Sequence, residues 1–464
     1  MSKPNWKNFE HFKYKNLDLL KQAFQDLELK VPFSTNTNCL KTLIYKNGIF
    51  IPNRLSIQPM EAVDANEQGG PSELTKRRYL RYAKSGAGLI WFEATSILEE
   101  SKSNPNQFTI NNSNVKNFRE LVEEIKELGT KTLEKIGFEK RPILILQLNH
   151  SGRYSKRGHK RTPFRTYENE ELDRAIGINS EESSILTDNE LKNIENIWVE
   201  KSILAKEAGF DGVDIKSCHG YLINDLLCSR SRSNSDYGGP SLKNRSKLLI
   251  DIISKLRKKY PTNNDFIITT RLGVYDGIPY PNGFGVREDE EGIIPPLIDL
   301  KEPLQLIKML YDRGVHLINI TMGNPYYMPH ITRPFNQPGN SSNIPDEHPL
   351  FGAYRHYKTV HDIKEQSPSG IIIVGSAYSY LQQFAGYVAA GLVENNWVDI
   401  CGFGRMAFAN PNFPIQIYKE GKIDSKRTCI TCSQCTELKK AGRSTGCALR
   451  DKEFYAPISN SQKN

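Results

Sequence analysis

Within six residues, Lys216-Ser-Cys-His-Gly-Tyr221 offers an ammonium, an imidazole and a phenol. Each can donate a proton or a hydrogen bond to an oxygen that gains negative charge during a reaction. The run directly follows Gly212–Ile215, a short β-branched stretch typical of a buried strand. In parallel α/β proteins ligands bind where strands end, so Lys216, His219 and Tyr221 are the candidate catalytic residues. Cys218 alternates away from these neighbours and reads as a small core hydrophobe rather than a nucleophile.

A second constellation suits an anion. Gly375-Ser376 and Gly402-Phe403-Gly404-Arg405 each follow a β-type run. Glycine lets backbone N–H groups approach oxygen closely, and an arginine fork grips phosphate in two places. The string Gly402 to Ala407 also mimics a dinucleotide fingerprint, but too little chain follows it for a doubly wound domain. Gln147 and Arg271 end two further apolar runs. An amide that both donates and accepts, next to a fixed cation, suits a heterocycle that becomes negative on reduction.

A third group is Cys429, Cys432, Cys435 and Cys447, spaced C-x2-C-x2-C-x11-C. Four closely spaced thiolates are what iron-sulfur clusters use, whereas structural zinc favours two separated CxxC pairs. The spacing leaves a four-iron cluster, zinc and free thiols open, with the crowded triplet favouring iron.

Eight β-type runs alternating with helix-period segments would position these groups: Phe50–Ile57, Gly88–Ala94, Pro142–Leu148, Gly212–Ile215, Phe266–Arg271, Leu317–Thr321, Ile371–Gly375 and Val398–Gly402. That order predicts an α/β fold, a (β/α)8 TIM barrel. Long segments follow the third, fifth and sixth strands (150–186, 273–296, 322–352), while helix-to-strand links are short, as in a barrel whose site lies on the post-strand loops. Residues 1–40 read as a helical extension, 41–420 as the barrel, and 421–464 as a Cys-rich tail. Of two readings of the 324–335 loop, one is a lid flanking a flat ligand and the other a surface loop packed on its own rings.

Composition narrows the class. With 38% hydrophobic residues a large core can be buried, and no apolar run approaches the roughly 20 residues of a membrane helix. The net charge of +9 is modest and partly gathered in Ser151–Arg165, either an anion site or a solvated loop. Aromatic interleaving there is too sparse for nucleic-acid binding. A cytosolic location is expected, since the first thirty residues carry no apolar signal core.

From about Lys41 to Pro414 the chain resembles the Old Yellow Enzyme family. The matching motifs, in order, are Asn53-Arg54 with Pro59-Met60, Gly88 to Thr95, Gln147 to Arg153, His219 to Leu222, Asp236 to Gly239 with Asn244-Arg245, and Gly402 to Arg405. The resemblance implies bound FMN. Pro59, Met60, Glu61, Ala87, Gln147 and Arg271 would surround its ring, and Gly375, Ser376, Gly402, Gly404 and Arg405 its phosphate. It also implies hydride transfer from NAD(P)H through the flavin to the C=C bond of an α,β-unsaturated carbonyl compound. Lys216 and His219 would then hold the carbonyl oxygen and Tyr221 would donate the proton. Two residues depart from the family pattern: Lys216 replaces a His or Asn partner, and Glu61 replaces a Thr or Cys.

The cysteine segment and residues 324–334 are similar to the dienoyl-CoA reductase and trimethylamine dehydrogenase branch, whose further nucleotide-binding region is absent from this sequence. Two other functions stay open, an amine-oxidising flavin dehydrogenase and a non-catalytic flavin or cluster sensor. The expected partner is a small-molecule substrate, with a homo-oligomer and a separate electron-transfer protein left open.

Overall fold

The computed structural model describes residues 7–178, 183–289, 294–339 and 343–460. The long segments expected at 150–186, 273–296 and 322–352, and both terminal regions, therefore lie partly outside the described residues.

Eight parallel strands close into a barrel: β1 (Leu55–Ile57), β2 (Leu89–Ser96), β3 (Ile143–Asn149), β4 (Gly212–Ile215), β5 (Ile267–Gly273), β6 (Leu317–Thr321), β7 (Ile372–Gly375) and β8 (Ile400–Phe403). Closure comes from β8 on β1, where Cys401, Gly402 and Phe403 stand opposite Leu55, Ser56 and Ile57. Helices between the strands cover the outer face, giving the expected (β/α)8 architecture.

The first expected strand, Phe50–Ile57, is two elements. Pro52 lacks the N–H a ladder needs, and Asn53 takes over the local backbone. Its Oδ1 accepts from the N–H groups of Leu55 (3.2 Å) and Gly88 (2.8 Å), and its Nδ2 donates to the Gly86 carbonyl (2.9 Å). The front part, Ile49–Ile51, pairs antiparallel with Ile44–Lys46. This hairpin plugs the amino end of the barrel, where Ile44, Ile49 and Ile51 pack with Leu89, Trp91 and Ile145.

Strand period puts alternate residues on the barrel interior, and their chemistry changes along the axis. Ile145 is followed by Gln147, Ile267 by Thr269 and Arg271, and Leu317 by Asn319 and Thr321. Apolar layers thus fill the amino end and polar ones the carboxyl end. Outward residues such as Phe92 meet the helices, stacking on Tyr79 at 4.1 Å. The helix Val115–Lys135 buries Phe118, Leu121, Val122, Ile125 and Leu133 on one face. Each such fully buried apolar side chain contributes about 1.5–3 kcal/mol. At Gly129 a Cβ would stand 2.6 Å from Pro142 Cγ, so glycine lets this helix approach the start of β3. The helix Asp188–Glu207 begins earlier than its apolar pattern suggests because Thr187 and Glu190 form a capping box.

The basic stretch after β3 is paired internally at its two ends, while Arg157, His159 and Lys160 between them are exposed. Arg153 pairs with Asp173 (2.5 Å) and Asp225 (3.2 Å), and Arg165 with Asp173 (3.0 Å). The helix Leu17–Asp26 of the N-terminal extension buries Leu20 and Phe24 in the main core.

The Cys-bearing tail folds back over the barrel's carboxyl end. Thr445 N–H donates to the Ala62 carbonyl (2.7 Å), and the N–H groups of Asn336 and Gln337 reach the Thr431 carbonyl (3.1 and 3.3 Å). Its last helix, Lys452–Asn460, lies beside the helix Glu73–Ala83, with the Arg77 guanidinium 3.5 Å from the Phe454 ring and Asp451 paired to Arg77 (2.9 Å) and Arg81. Among the described residues no helix is long and apolar enough to cross a membrane.

Candidate active site

A cavity of about 190 Å³ opens at the carboxyl end of the barrel. The segment leaving β1 supplies Gln58, Pro59, Met60 and Glu61, and β3 supplies Gln147. Lys216 and His219 enter after β4, Arg271 from β5, Ser376 after β7, and Gly402, Gly404 and Arg405 from β8 and its turn. Eleven residues expected from the sequence therefore line one space, although they are spread over most of the chain.

Three expected residues are placed differently. Gly375 sits one residue below the lining, where its carbonyl accepts from Gln58 Nε2 at 3.3 Å. Tyr221 stands behind Lys216, whose Nζ lies 4.0 Å from the phenol ring centre, and its hydroxyl is 3.3 Å from that of Tyr326. Ala87 is a correction. It is buried just before β2, beside Ser85 at the amino end of the barrel, and cannot reach a ligand at the other end. Only the carboxyl end of that strand points toward the site.

The floor of the cavity is a fixed polar layer. Asp214 accepts from Gln147 Nε2 (2.6 Å), Trp91 Nε1 (3.0 Å) and the Arg271 backbone N–H (2.6 Å). Burial pushes its carboxyl up to about 6 despite these donors. Gln58 and Asn319 exchange amide hydrogen bonds at 3.2 and 2.6 Å, and Gln58 also reaches the Ser376 hydroxyl at 3.2 Å. At Gly402 a Cβ would stand 1.9 Å from Gln58 Nε2, so glycine is required for that amide to lie across the strand.

Charge dominates the walls. Glu61 Oε1 is 2.9 Å from Lys216 Nζ, and its other oxygen pairs with Lys439 from the tail. Burial alone would raise the Glu61 carboxyl, but the two ammonium groups outweigh it and hold it well below the usual range. The two departures from the family pattern thus face each other as an ion pair. His219 has φ +65°, a left-handed conformation followed by Gly220 at +73°, which turns its ring to within 3.3 Å of Thr321 Oγ1. Burial, with Arg271 and Lys216 nearby, drives its pKa well below the ordinary value, so the imidazole is neutral. Burial raises the Tyr221 phenol far above 10, so it keeps its proton. Cys218 is fully buried and pushed up to about 12, consistent with a core residue.

Sequence reasoning missed Gln58, Asp214, Asn319, Arg333 and Lys439. Gln58 lies two residues beyond Ser56, Asp214 lies two before Lys216, and Asn319 lies midway along β6, so strand period could have found all three. No local signal marks Arg333, from the loop after β6, or Lys439, from the tail. The loop 324–335 combines both readings: Pro325, Thr332 and Arg333 line the cavity, while Tyr326 stacks on Tyr154 at 3.7 Å.

Cys429, Cys432, Cys435 and Cys447 line one small space beside Arg405 and Phe408. Among the described residues, the only set of three or more His, Cys, Asp or Glu ligand atoms within 4.8 Å of one another is His361, Asp362 and Glu365, on a surface helix. The four sulfurs are gathered around one space.

The NADH:flavin oxidoreductase / NADH oxidase family matches residues 44–285, just over half of the chain. The chain belongs to that family. An NADH oxidase of Thermoanaerobacter brockii is 26% identical over 390 residues, which cover 83% of this chain and 51% of the relative, so the chain spans about half that relative's length. A 2-naphthoyl-CoA reductase in complex with 2-naphthoyl-CoA superposes with a TM-score of 0.66 at 19% identity, over 92% of this chain and 58% of that one. The old yellow enzyme from Trypanosoma cruzi gives 0.56 at 17% identity, over 83% and 93%. These two structures share the barrel fold.

The lining fits FMN. Arg405 is buried and Nη2 donates to the Pro334 carbonyl (2.6 Å), while Nη1 meets no acceptor within the chain. Arg271 Nε is likewise buried and unpartnered. Buried guanidinium groups with idle donors call for an anionic ligand, which a phosphate and a reduced flavin ring would each supply.

Proposed function

We propose that this chain is an NAD(P)H-dependent FMN oxidoreductase that reduces the C=C bond of an α,β-unsaturated carbonyl compound. The observation that carries the reading is the convergence of idle buried guanidinium donors with Lys216 and His219 on one cavity. Bound FMN would supply hydride transfer between the nicotinamide and the alkene. Ser376, Gly402, Gly404 and Arg405 would hold its phosphate, and Pro59, Met60, Gln147 and Arg271 its ring.

The protein's own share of the chemistry is electrostatic. Lys216 is paired with Glu61 and presents further N–H donors to a substrate carbonyl. Neutral His219 contributes one more donor. Together they would stabilise the oxygen as it gains charge. Tyr221 keeps its proton but stands behind Lys216 with its hydroxyl hydrogen-bonded to Tyr326, so a role as proton donor would require that hydroxyl to reach the cavity past Lys216. The excess of cations in the lining opposes binding of an alkylammonium, which weighs against amine oxidation.

The four tail thiols are proposed to hold a four-iron cluster that passes electrons singly, supported by their gathering around one space next to Arg405. An anaerobic absorption spectrum with flavin and iron assays, followed by turnover of an enone with each nicotinamide, tests the whole reading. A folded, colourless protein that takes up no FMN from excess would sink it.

A further inference from the structure

The cavity lining carries an excess of positive charge. Its charged members are Lys216, Arg271, Arg333, Arg405 and Lys439 against a single carboxylate, Glu61. Arg405 and Arg333 belong together: burial and the neighbouring Arg405 lower the Arg333 guanidinium to about 10, and the Arg333 Nε is buried without a partner. A phosphate dianion matches that pair. Arg271 lies over Asp214, which accepts its backbone N–H. What remains is Lys216–Glu61–Lys439, two ammonium groups sharing one carboxylate.

Lys216 and Glu61 are closed off from water, and Lys439 is one-third exposed. Side-chain exposure is 3% for Lys216, 8% for Glu61 and 33% for Lys439. Of the neighbours, Tyr221 is held neutral and Arg333 and Lys156 add positive field at Lys439, while the carboxylate of Asp214, which also acts on Lys216, is shared with Arg271. A mostly buried net cation is costly without a counter-ion, and this one faces the cavity. Glu61 engages one donor direction of the Lys439 ammonium, which has three.

Resting on the flavin and substrate reading above, we propose that Lys439 is a specificity-determining residue that binds a carboxylate, so the substrate is an unsaturated carbonyl compound that also carries an acid group. Lys216 and His219 hold the activating carbonyl, and the acid lies against Lys439. The tail helix Gln434–Lys440 then completes the substrate site of the barrel.

Benzoate and benzamide share a ring and differ in charge, and neither needs turnover to report binding. Titrated into the FMN-loaded protein and followed by visible flavin absorbance, benzoate binds at least about tenfold more tightly than benzamide. Lys439→Met abolishes that preference, because the trio becomes neutral. Glu61→Gln enlarges it, because the trio gains a charge. A residue with only a packing role would weaken both ligands alike in both variants. Equal binding of the two probes by the unaltered protein, or a preference retained in Lys439→Met, overturns the proposal while leaving the flavin reading intact. Failure to load FMN, seen before any probe is added, overturns the flavin reading instead. Should Glu61→Gln not fold, the unaltered protein and Lys439→Met still decide.

Discussion

Glu61 Oε1 and Lys216 Nζ stand 2.9 Å apart across 155 positions of sequence, at the mouth of the barrel. Each residue alone looks like a loss: a carboxylate where a flavin must accept negative charge, and a lysine where a neutral donor is expected. Together they explain each other. The carboxylate orients the lysine in a buried setting, and the lysine balances the carboxylate beside the proposed flavin site. The ion pair and a donor role for Lys216 are compatible, since an ammonium has three N–H groups.

Lys216→Met keeps the length of the side chain and removes the donor. Turnover of an enone falls by about 10²–10³-fold, the range seen when one donor to a developing oxyanion is lost. FMN content stays at one per chain, because Glu61 keeps Lys439 as its partner. Steady-state rates with flavin quantitation check this, and unchanged turnover removes Lys216 from the catalytic set.

Arg405→Met deletes a buried guanidinium whose Nη1 has no acceptor within the chain. Losing a charge-assisted contact costs about 1.5–3 kcal/mol, so FMN binding weakens by roughly 10–150-fold. Equilibrium dialysis of the two proteins measures it. Equal affinity would move the phosphate elsewhere.

The tail cysteines are expected to carry about four irons per chain and no zinc. Cys435→Ser loses the iron and loosens the helix Gln434–Lys440 that it begins, so Lys439 no longer sits firmly on Glu61. Metal analysis by mass spectrometry, with proteolysis after residue 420, reads both effects. One zinc per chain in the unaltered protein would refute the cluster.

Asp214 gives a pH dependence with a definite sign. Its folded-state pKa, about 6, lies above the ordinary 3.8, so it binds a proton more tightly in the folded protein. Its contribution is full below pH 4 and is lost as pH rises through about 6. Asp214→Asn removes that titration and sets an amide NH2 against donors from Gln147, Trp91 or the Arg271 backbone, costing about 1–3 kcal/mol. Denaturant unfolding should show the unaltered protein losing about 2 kcal/mol between pH 4 and 7 relative to the variant. Parallel curves would mean that Asp214 is ionised throughout.

Much of this protein is local in origin. β-Branched runs at βα spacing specify the barrel, because strand and helix periods are properties of short segments, and the long post-strand loops mark which end carries the site. Gln147, Arg271 and Arg405 could be placed for the same reason: a residue at a strand's carboxyl end has little choice about where it points. Strand one was misread because Pro52 and Asn53 stop a run that is apolar on both sides. Ala87 was misplaced because two ends of the same strand are a few residues apart in sequence and a barrel's height apart in space.

Pairing of distant charges was decided only by the tertiary structure. Nothing near Glu61 announces Lys216, and nothing in the cysteine tail announces that Lys439 closes over both. Helix and strand propensities act over a few residues, whereas Coulomb attraction in a buried cavity depends on which surfaces the folded chain brings together.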